Sequence, residues 1–240
     1  MTLQEIYYRL QNVSAFELQE SWDNSGIILG NRDAEITEVV LSIDIDEELI
    51  ESLNDGCLII THHPLIFSGL KSLDLSKYPS NLLQKMLAKN ISNIAMHTNF
   101  DKTHLNAYVL QEVLGYSILE RKDFTITFNV NENFDTFSKS IKEKLSLEYV
   151  KNVKGKDFIK TAALTTGAGA SLFNSVEVDC FLTGDIKYHD AMLAKSQNLA
   201  LIDIGHYESE RFFVNILEKH LKILPLSVII SSSKNPFSYN

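Results

Sequence analysis

The run Cys57-Leu58-Ile59-Ile60-Thr61-His62-His63-Pro64 opens with four apolar residues in unbroken succession. Such a run reads as a strand buried on both faces, the kind found inside parallel sheets. A polar cluster follows directly, and in open α/β sheets ligands bind beyond the carboxyl ends of the strands. The same arrangement occurs twice more. Ile91 to Met96 runs into His97-Thr98-Asn99-Phe100-Asp101, and Leu199 to Ile204 runs into Gly205-His206-Tyr207-Glu208-Ser209-Glu210. Four of the seven histidines, His62, His63, His97 and His206, fall at these strand ends.

Outward from these three segments, strands and helices alternate. Thr2-Leu3-Gln4-Glu5 reads as a capped helix start, with Leu3, Ile6, Tyr7 and Leu10 as its apolar stripe. Strands are expected at Gly26 to Leu29, Val39 to Ile43, Phe124 to Val130, Phe158 to Thr165, Cys180 to Leu182 and Leu226 to Ile230. Helices are expected at Asp46 to Leu53, Leu82 to Lys89, Leu105 to Leu114, Phe134 to Leu145, Tyr188 to Ser196 and Glu208 to Leu221, and a helix-opening turn at Gly167 to Phe173. This alternation predicts an α/β fold, with helices layered around largely parallel or mixed sheets in two related α/β domains. The halves share a similar element order. A first domain over 1–120, completed by 225–240, and a second over 121–224 are expected, with Ser231 to Pro236 a loose tail.

Composition narrows the function classes. At 240 residues, with 45% hydrophobic and 22% charged residues, the chain is of ordinary globular type. The longest apolar run is four residues, so no membrane span is expected. Cys57 and Cys180 sit alone inside apolar runs and read as buried thiols of a reducing cytoplasm. A net charge of −9 disfavours nucleic acid and anionic membranes as partners.

The three polar clusters carry metal chemistry. Imidazole and carboxylate suit zinc, iron, manganese or nickel. His206 and Glu210 stand four apart at a helix start and so share one face. Adjacent His62 and His63 are expected to diverge, each serving one of two ions if a carboxylate lies between. Asp101 and Glu210 are the candidates for that carboxylate. Two ions roughly 3.5–4 Å apart would suit such a bridge. Asp185 and His189 form a rival pair, more in keeping with a solvated helix start, and His104 and His220 read as helix-surface residues.

These motifs, taken in order, resemble the NGG-interacting factor three-like family, also called GTP cyclohydrolase I type 2 homologues. The resemblance covers nearly the whole chain. It rests on Trp22-Asp23-Asn24-Ser25-Gly26 with Gly30, on Thr61-His62-His63-Pro64-Leu65-Ile66-Phe67, on His97 to Asp101, on Thr183-Gly184-Asp185-Ile186-Lys187-Tyr188-His189 and on Gly205 to Glu210. It implies a dinuclear site of two divalent metal ions held by His62, His63, Asp101, His206 and Glu210, with Glu210 bridging. It implies two interlinked α/β domains, with mixed sheets flanked by helices, and a ring-shaped homohexamer, a trimer of dimers. Longer relatives insert a middle domain, for which 240 residues are expected to leave no room. The family often has Glu where Asp185 stands and Thr where Ser209 stands.

The activity implied is metal-dependent hydrolysis of a nucleotide, with ring opening of GTP to dihydroneopterin triphosphate and formate. His97 is then the expected proton shuttle or a hydrogen-bond support for a ligand. Backbone amides at Gly167 and Gly169, with Lys187, are the candidate phosphate contacts, set against a plain strand-to-helix turn and a solvated lysine. Asp23 and Asn24 read as too far along a loop to be ligands and are expected to shape the cavity wall or an interface, with Trp22 packed beneath them. A phosphoesterase on another nucleotide and a non-catalytic metal-binding scaffold are the alternatives.

Overall fold

The computed structural model describes residues 1–231 and 234–238. Eleven strands are present among them. They are β1 (Gly26–Leu29), β2 (Glu38–Ser42), β3 (Leu58–Thr61), β4 (Ser92–Ala95), β5 (Glu120–Lys122), β6 (Thr125–Asn133), β7 (Lys151–Val153), β8 (Phe158–Leu164), β9 (Cys180–Thr183), β10 (Ala200–Asp203) and β11 (Ser227–Ile230). The principal helices are α1 (Leu3–Val13), α2 (Glu47–Ser52), α3 (Ser80–Ala88), α4 (Phe134–Lys144), α5 (Tyr188–Ser196), α6 (His206–Glu210) and α7 (Phe213–Leu221). The architecture is the expected mixed α/β one, two mixed sheets flanked by helices. Among the described residues no helix is long and apolar enough to cross a membrane.

The chain divides into two compact units. One holds Met1–Phe100 and the chain from Phe213 onward; the other is Asp101–Phe212. The division thus falls ahead of residue 120. The reason is local: helical turns over 101–113 belong to the second unit, where Asn106 Oδ1 accepts hydrogen bonds from Thr166 N at 2.7 Å and Thr166 Oγ1 at 3.0 Å. These turns mix α and π geometry, with Asp101–Leu105 forming a π turn.

In the first unit the strand order is β1-β4-β3-β2-β11. Only β1 runs antiparallel to its neighbour. The strands β3 and β4 are buried at every position; β3 is largely apolar, and in β4 the buried Asn93 amide donates to Ile59 O at 3.1 Å and Thr61 Oγ1 at 3.2 Å. The core against one face gathers Val40, Ile59, Leu49, Ile50, Leu83 and Met86. The helix α1 begins with the predicted capping box: Thr2 Oγ1 accepts from Glu5 N and Glu5 Oε2 accepts from Thr2 N. It buries Leu3, Ile6 and Leu10, while Tyr7 is half-buried. The helix α7 packs on β2 and β11. Register sets the strand ends level: Ser42 pairs Thr61, and Thr61 pairs Ala95. The residues following β3 and β4 therefore leave the sheet side by side. The expected tail at Ser231 to Pro236 lies partly outside the described residues; Ser231 N still donates to Leu41 O at 2.9 Å.

In the second unit the order is β5-β6-β8-β9-β10-β7, with β8, β9 and β10 mutually parallel. Its core includes Ala163, Phe173, Phe181, Ala194 and Leu201. Asp203 pairs Thr183, so the loops after β9 and β10 also emerge level. Two helix expectations change here. The segment after Gly169 is a short 3-10 helix, Ala170–Ser175. The helix expected over Glu208 to Leu221 is two, α6 and α7, parted at Arg211 and Phe212. Different packing draws the two pieces apart. Arg211 donates to Leu145 O at 3.0 Å within the second unit, whereas Phe213 is buried in the first, its ring 5.0 Å from that of Phe100.

Candidate metal centre

His62 and His63 follow β3 and continue its ladder, His62 N donating to Ser42 O and His63 N to Ile43 O. The pleat ends at Thr61, and a bend there removes the strand's alternation. The two rings consequently do not diverge as expected; their centroids lie 5.0 Å apart. His97, following β4, joins them, 5.2 Å from the His62 ring and 5.5 Å from the His63 ring. One ligand atom from each of His62, His63 and His97 falls within 4.8 Å of the others, a group able to hold a metal ion.

Each of these imidazoles is gripped at Nδ1. His62, fully buried, meets Met96 O at 3.0 Å. His63 meets Asp44 Oδ1 at 2.8 Å, and His97 meets Asp23 Oδ1 at 2.8 Å. A carbonyl or carboxylate at Nδ1 sets the tautomer that presents the Nε2 lone pair, the second partner that metal-ligating histidines keep.

Sequence reasoning missed Asp44 altogether, and it missed the reach of Asp23, which is no distant wall residue. The register of β1 on β4 sets Gly26 opposite Ala95, and extended outward it brings Asp23 opposite Thr98. Besides His97, its carboxylate accepts from Thr98 N at 3.1 Å, Thr98 Oγ1 at 2.5 Å, Ser25 Oγ at 3.0 Å and Asn24 N at 2.7 Å. Burial by itself would push its pKa up. The hydrogen bond and charge of His97, with those from Thr98 and Asn24, outweigh burial and hold the carboxyl well below the usual range. Trp22 does not pack beneath this loop. It stands 57% exposed, its ring 6.4 Å from His97 and 5.9 Å from Phe67.

The second unit builds around α6. His206 and Glu210 share a face, and His206 Nε2 lies 3.0 Å from Glu210 Oε2. Two donors each about 2.1 Å from one ion would stand at about that spacing. His206 Nδ1 meets Asp185 Oδ2 at 2.7 Å. Asp185 therefore supports His206 and is not the partner of His189, which is exposed. Gly184 permits this: a Cβ there would lie 2.7 Å from His206 N. Asp185 itself takes a left-handed φ of 55°, a conformation that aspartate tolerates better than most residues.

Glu210 is buried, and Gly167 makes room for it. A Cβ on Gly167, at φ 62°, would lie 2.0 Å from Glu210 Oε1. The amides expected to hold phosphate are engaged within the fold. Gly167 N donates to Ser209 Oγ at 3.0 Å, and Gly169 N to Thr183 Oγ1 at 2.7 Å. Lys187 is exposed just before α5. Asp101 is buried in its π turn, a geometry frequent at functional sites. His104 is half-buried beside Thr103 Oγ1 at 2.7 Å, and His220 is exposed. Imidazoles with fixed tautomers and a buried carboxylate make a donor set that fits divalent ions.

The chain is similar to known proteins over nearly its whole length. The family model described as Duf34/NIF3 (NGG1p interacting factor 3) matches residues 1–236. A Campylobacter jejuni protein named GTP cyclohydrolase 1 type 2 homolog is 50% identical over 240 residues, covering 100% of both chains. A Helicobacter pylori protein named GTP cyclohydrolase 1 type 2 is 42% identical, covering 98% of this chain and 97% of its own. The crystal structure of a Staphylococcus aureus hypothetical protein superposes with a TM-score of 0.87 at 27% identity, covering 100% of this chain and 99% of that one. The chain belongs to the DUF34/NIF3 family.

Proposed function

We propose that this protein is a metal-dependent hydrolase of a nucleotide, with GTP as substrate and formate and dihydroneopterin triphosphate as products. In this reading His62, His63, Asp101, His206 and Glu210 hold two divalent ions, Glu210 bridging, and the chain works as a cytoplasmic homohexamer. The observation that carries it is the common grip on four imidazoles. His62, His63 and His206 each have Nδ1 against an acceptor at 2.7–3.0 Å, the arrangement that ligating histidines need, and His97 is gripped in the same way at 2.8 Å, which leaves its Nε2 for a proton. The name of the Helicobacter pylori relative supports the choice of GTP.

Divalent ions in such a site make water acidic enough to act as a nucleophile near neutral pH. The chain's own residues supply the rest. Asp44 and Asp185 orient His63 and His206. His97, gripped at Nδ1 by Asp23, presents Nε2 for a proton, and the Asp23 carboxylate stabilises the imidazolium that forms. In this reaction one water adds at C8 of guanine and a C8–N bond breaks to leave a formamide, a second water cleaves that formamide to formate and an amine, and the ribose carbons rearrange and condense to close the pterin ring with loss of one water; His97 moves protons between water and the departing nitrogens. With the Gly167 and Gly169 amides engaged, Lys187 is the remaining phosphate contact.

The test is incubation of manganese-, zinc- or iron-loaded protein with GTP, followed by assay of formate and of fluorescent pterin after oxidation. Formate and pterin in equal amounts are expected. No turnover with any of the three metals overturns the cyclohydrolase reading, and phosphate release without formate replaces it with a phosphoesterase.

A further inference from the structure

Beside the histidine trio stand two aromatic side chains with no role so far. Trp22 is 57% exposed and Phe67 is 48% exposed, although both are large and apolar. Their rings are 5.9 Å apart. Both meet the ring of His97 edge-on, Trp22 at 6.4 Å and Phe67 at 6.2 Å. Neither sits on a loose loop. Trp22 precedes Asp23, whose side chain is wholly buried under its hydrogen bonds. Phe67 follows Leu65, which is buried in the core, and Ile66, which packs against it. Asn24 Nδ2 donates to Ile66 O at 2.5 Å and ties the two segments together. The fold therefore leaves two aromatic rings half exposed on segments tied to each other and to the core, next to the imidazole expected to carry the proton.

We propose that Trp22 and Phe67 form the wall that recognises the substrate's heteroaromatic base, which stacks on the indole with Phe67 bordering it. This inference rests on the nucleotide-hydrolase reading and deepens it. A flat purine suits the patch better than an aliphatic group does, because aromatic rings attract one another in offset-stacked or edge-on arrangements. Stacking is also tolerant of which base is presented, so the wall selects for a planar heterocycle and leaves the choice among purines to polar groups. A base seated there lies beside His97, where the ring-opening reaction needs a proton carrier.

Trp22 is the only tryptophan in the chain, so its emission reports the wall directly. Metal-loaded protein is titrated with GTP and, separately, with inorganic tripolyphosphate. GTP is expected to quench the emission saturably, and tripolyphosphate to leave it unchanged. Phe67→Ala is expected to raise the GTP dissociation constant about tenfold, within the range of base-stacking losses, and Phe67→Tyr to restore it. Trp22→Ala, followed by calorimetry, is expected to weaken GTP binding similarly, and Trp22→Phe to recover most of it. Circular dichroism confirms that each variant is folded.

If Trp22→Ala and Phe67→Ala bind GTP as the unaltered protein does while formate is still released, the wall is wrong and the hydrolase stands. If GTP quenches saturably but no formate forms, the wall stands and the hydrolase fails. Emission that shifts with protein concentration and ignores GTP would mean that a second copy of the chain covers these rings, which overturns the proposal.

Discussion

Asp23 and His97 are 74 residues apart in the chain, yet the Asp23 carboxylate holds His97 Nδ1 at 2.8 Å. The pair exists because β1 and β4 run antiparallel, which places the residues before one strand against those after the other. The same carboxylate accepts four further hydrogen bonds, so it serves both the site and the stability of the loop.

Replacing Asp23 with Ala strands these donors in a buried position. A loss of about 2–3 kcal/mol is expected, read as a lowered urea midpoint. The pH dependence follows from the depressed carboxyl. The native state binds its proton more weakly than the unfolded chain, so the contribution is complete above the ordinary value of 3.8 and fades as pH falls below it. Urea midpoints measured between neutral pH and pH 3 should fall less steeply in Asp23→Asn than in the unaltered protein.

Glu210→Ala removes the proposed bridge. The expected result is loss of formate release together with a lower metal content by elemental analysis after loading and desalting. Retention of two ions per chain would refute the bridging role.

Gly167→Ala tests how Glu210 is seated. The added methyl meets Glu210 Oε1, and the left-handed φ of 62° disfavours alanine as well. The expected cost is about 1–2 kcal/mol of stability, with metal affinity down about tenfold or more as the carboxylate is displaced. Chelator competition measures the second effect separately from the first.

Asp185→Ala leaves His206 without its Nδ1 partner. Metal affinity is expected to fall by about 10–100-fold, and Asp185→Asn to recover part of it, since an amide oxygen still accepts from the ring. Equal affinities in all three proteins would show that Asp185 plays no part in holding the ligand.

The net charge of −9 predicts no grip on a nucleic acid backbone. Labelled duplex DNA titrated at low salt should show no binding. A steep loss of binding with added salt would reveal a basic surface that the overall charge conceals.

The legible parts of this protein are those in which neighbours in the chain are neighbours in space. Thr2 and Glu5 close a capping box three residues apart, and His206 and Glu210 share a face because four residues make about one helical turn. The segments before His62, His97 and His206 declared themselves as strands, with the imidazoles just beyond their ends. The α/β class followed from that alternation alone.

Tertiary structure decided whatever depends on pairing across the sheet or on backbone approach. Register alone brings Asp23 to His97 and His97 to the histidine pair. A left-handed turn at Asp185, beside a backbone contact that Gly184 allows, aims that carboxylate at His206. Sequence spacing carries no record of these contacts, because hydrogen bonding between distant strands fixes them and local propensity does not. The break at Arg211 and Phe212 has the same origin: the helical pattern runs through it, and only the separate packing of its two ends parts the helix.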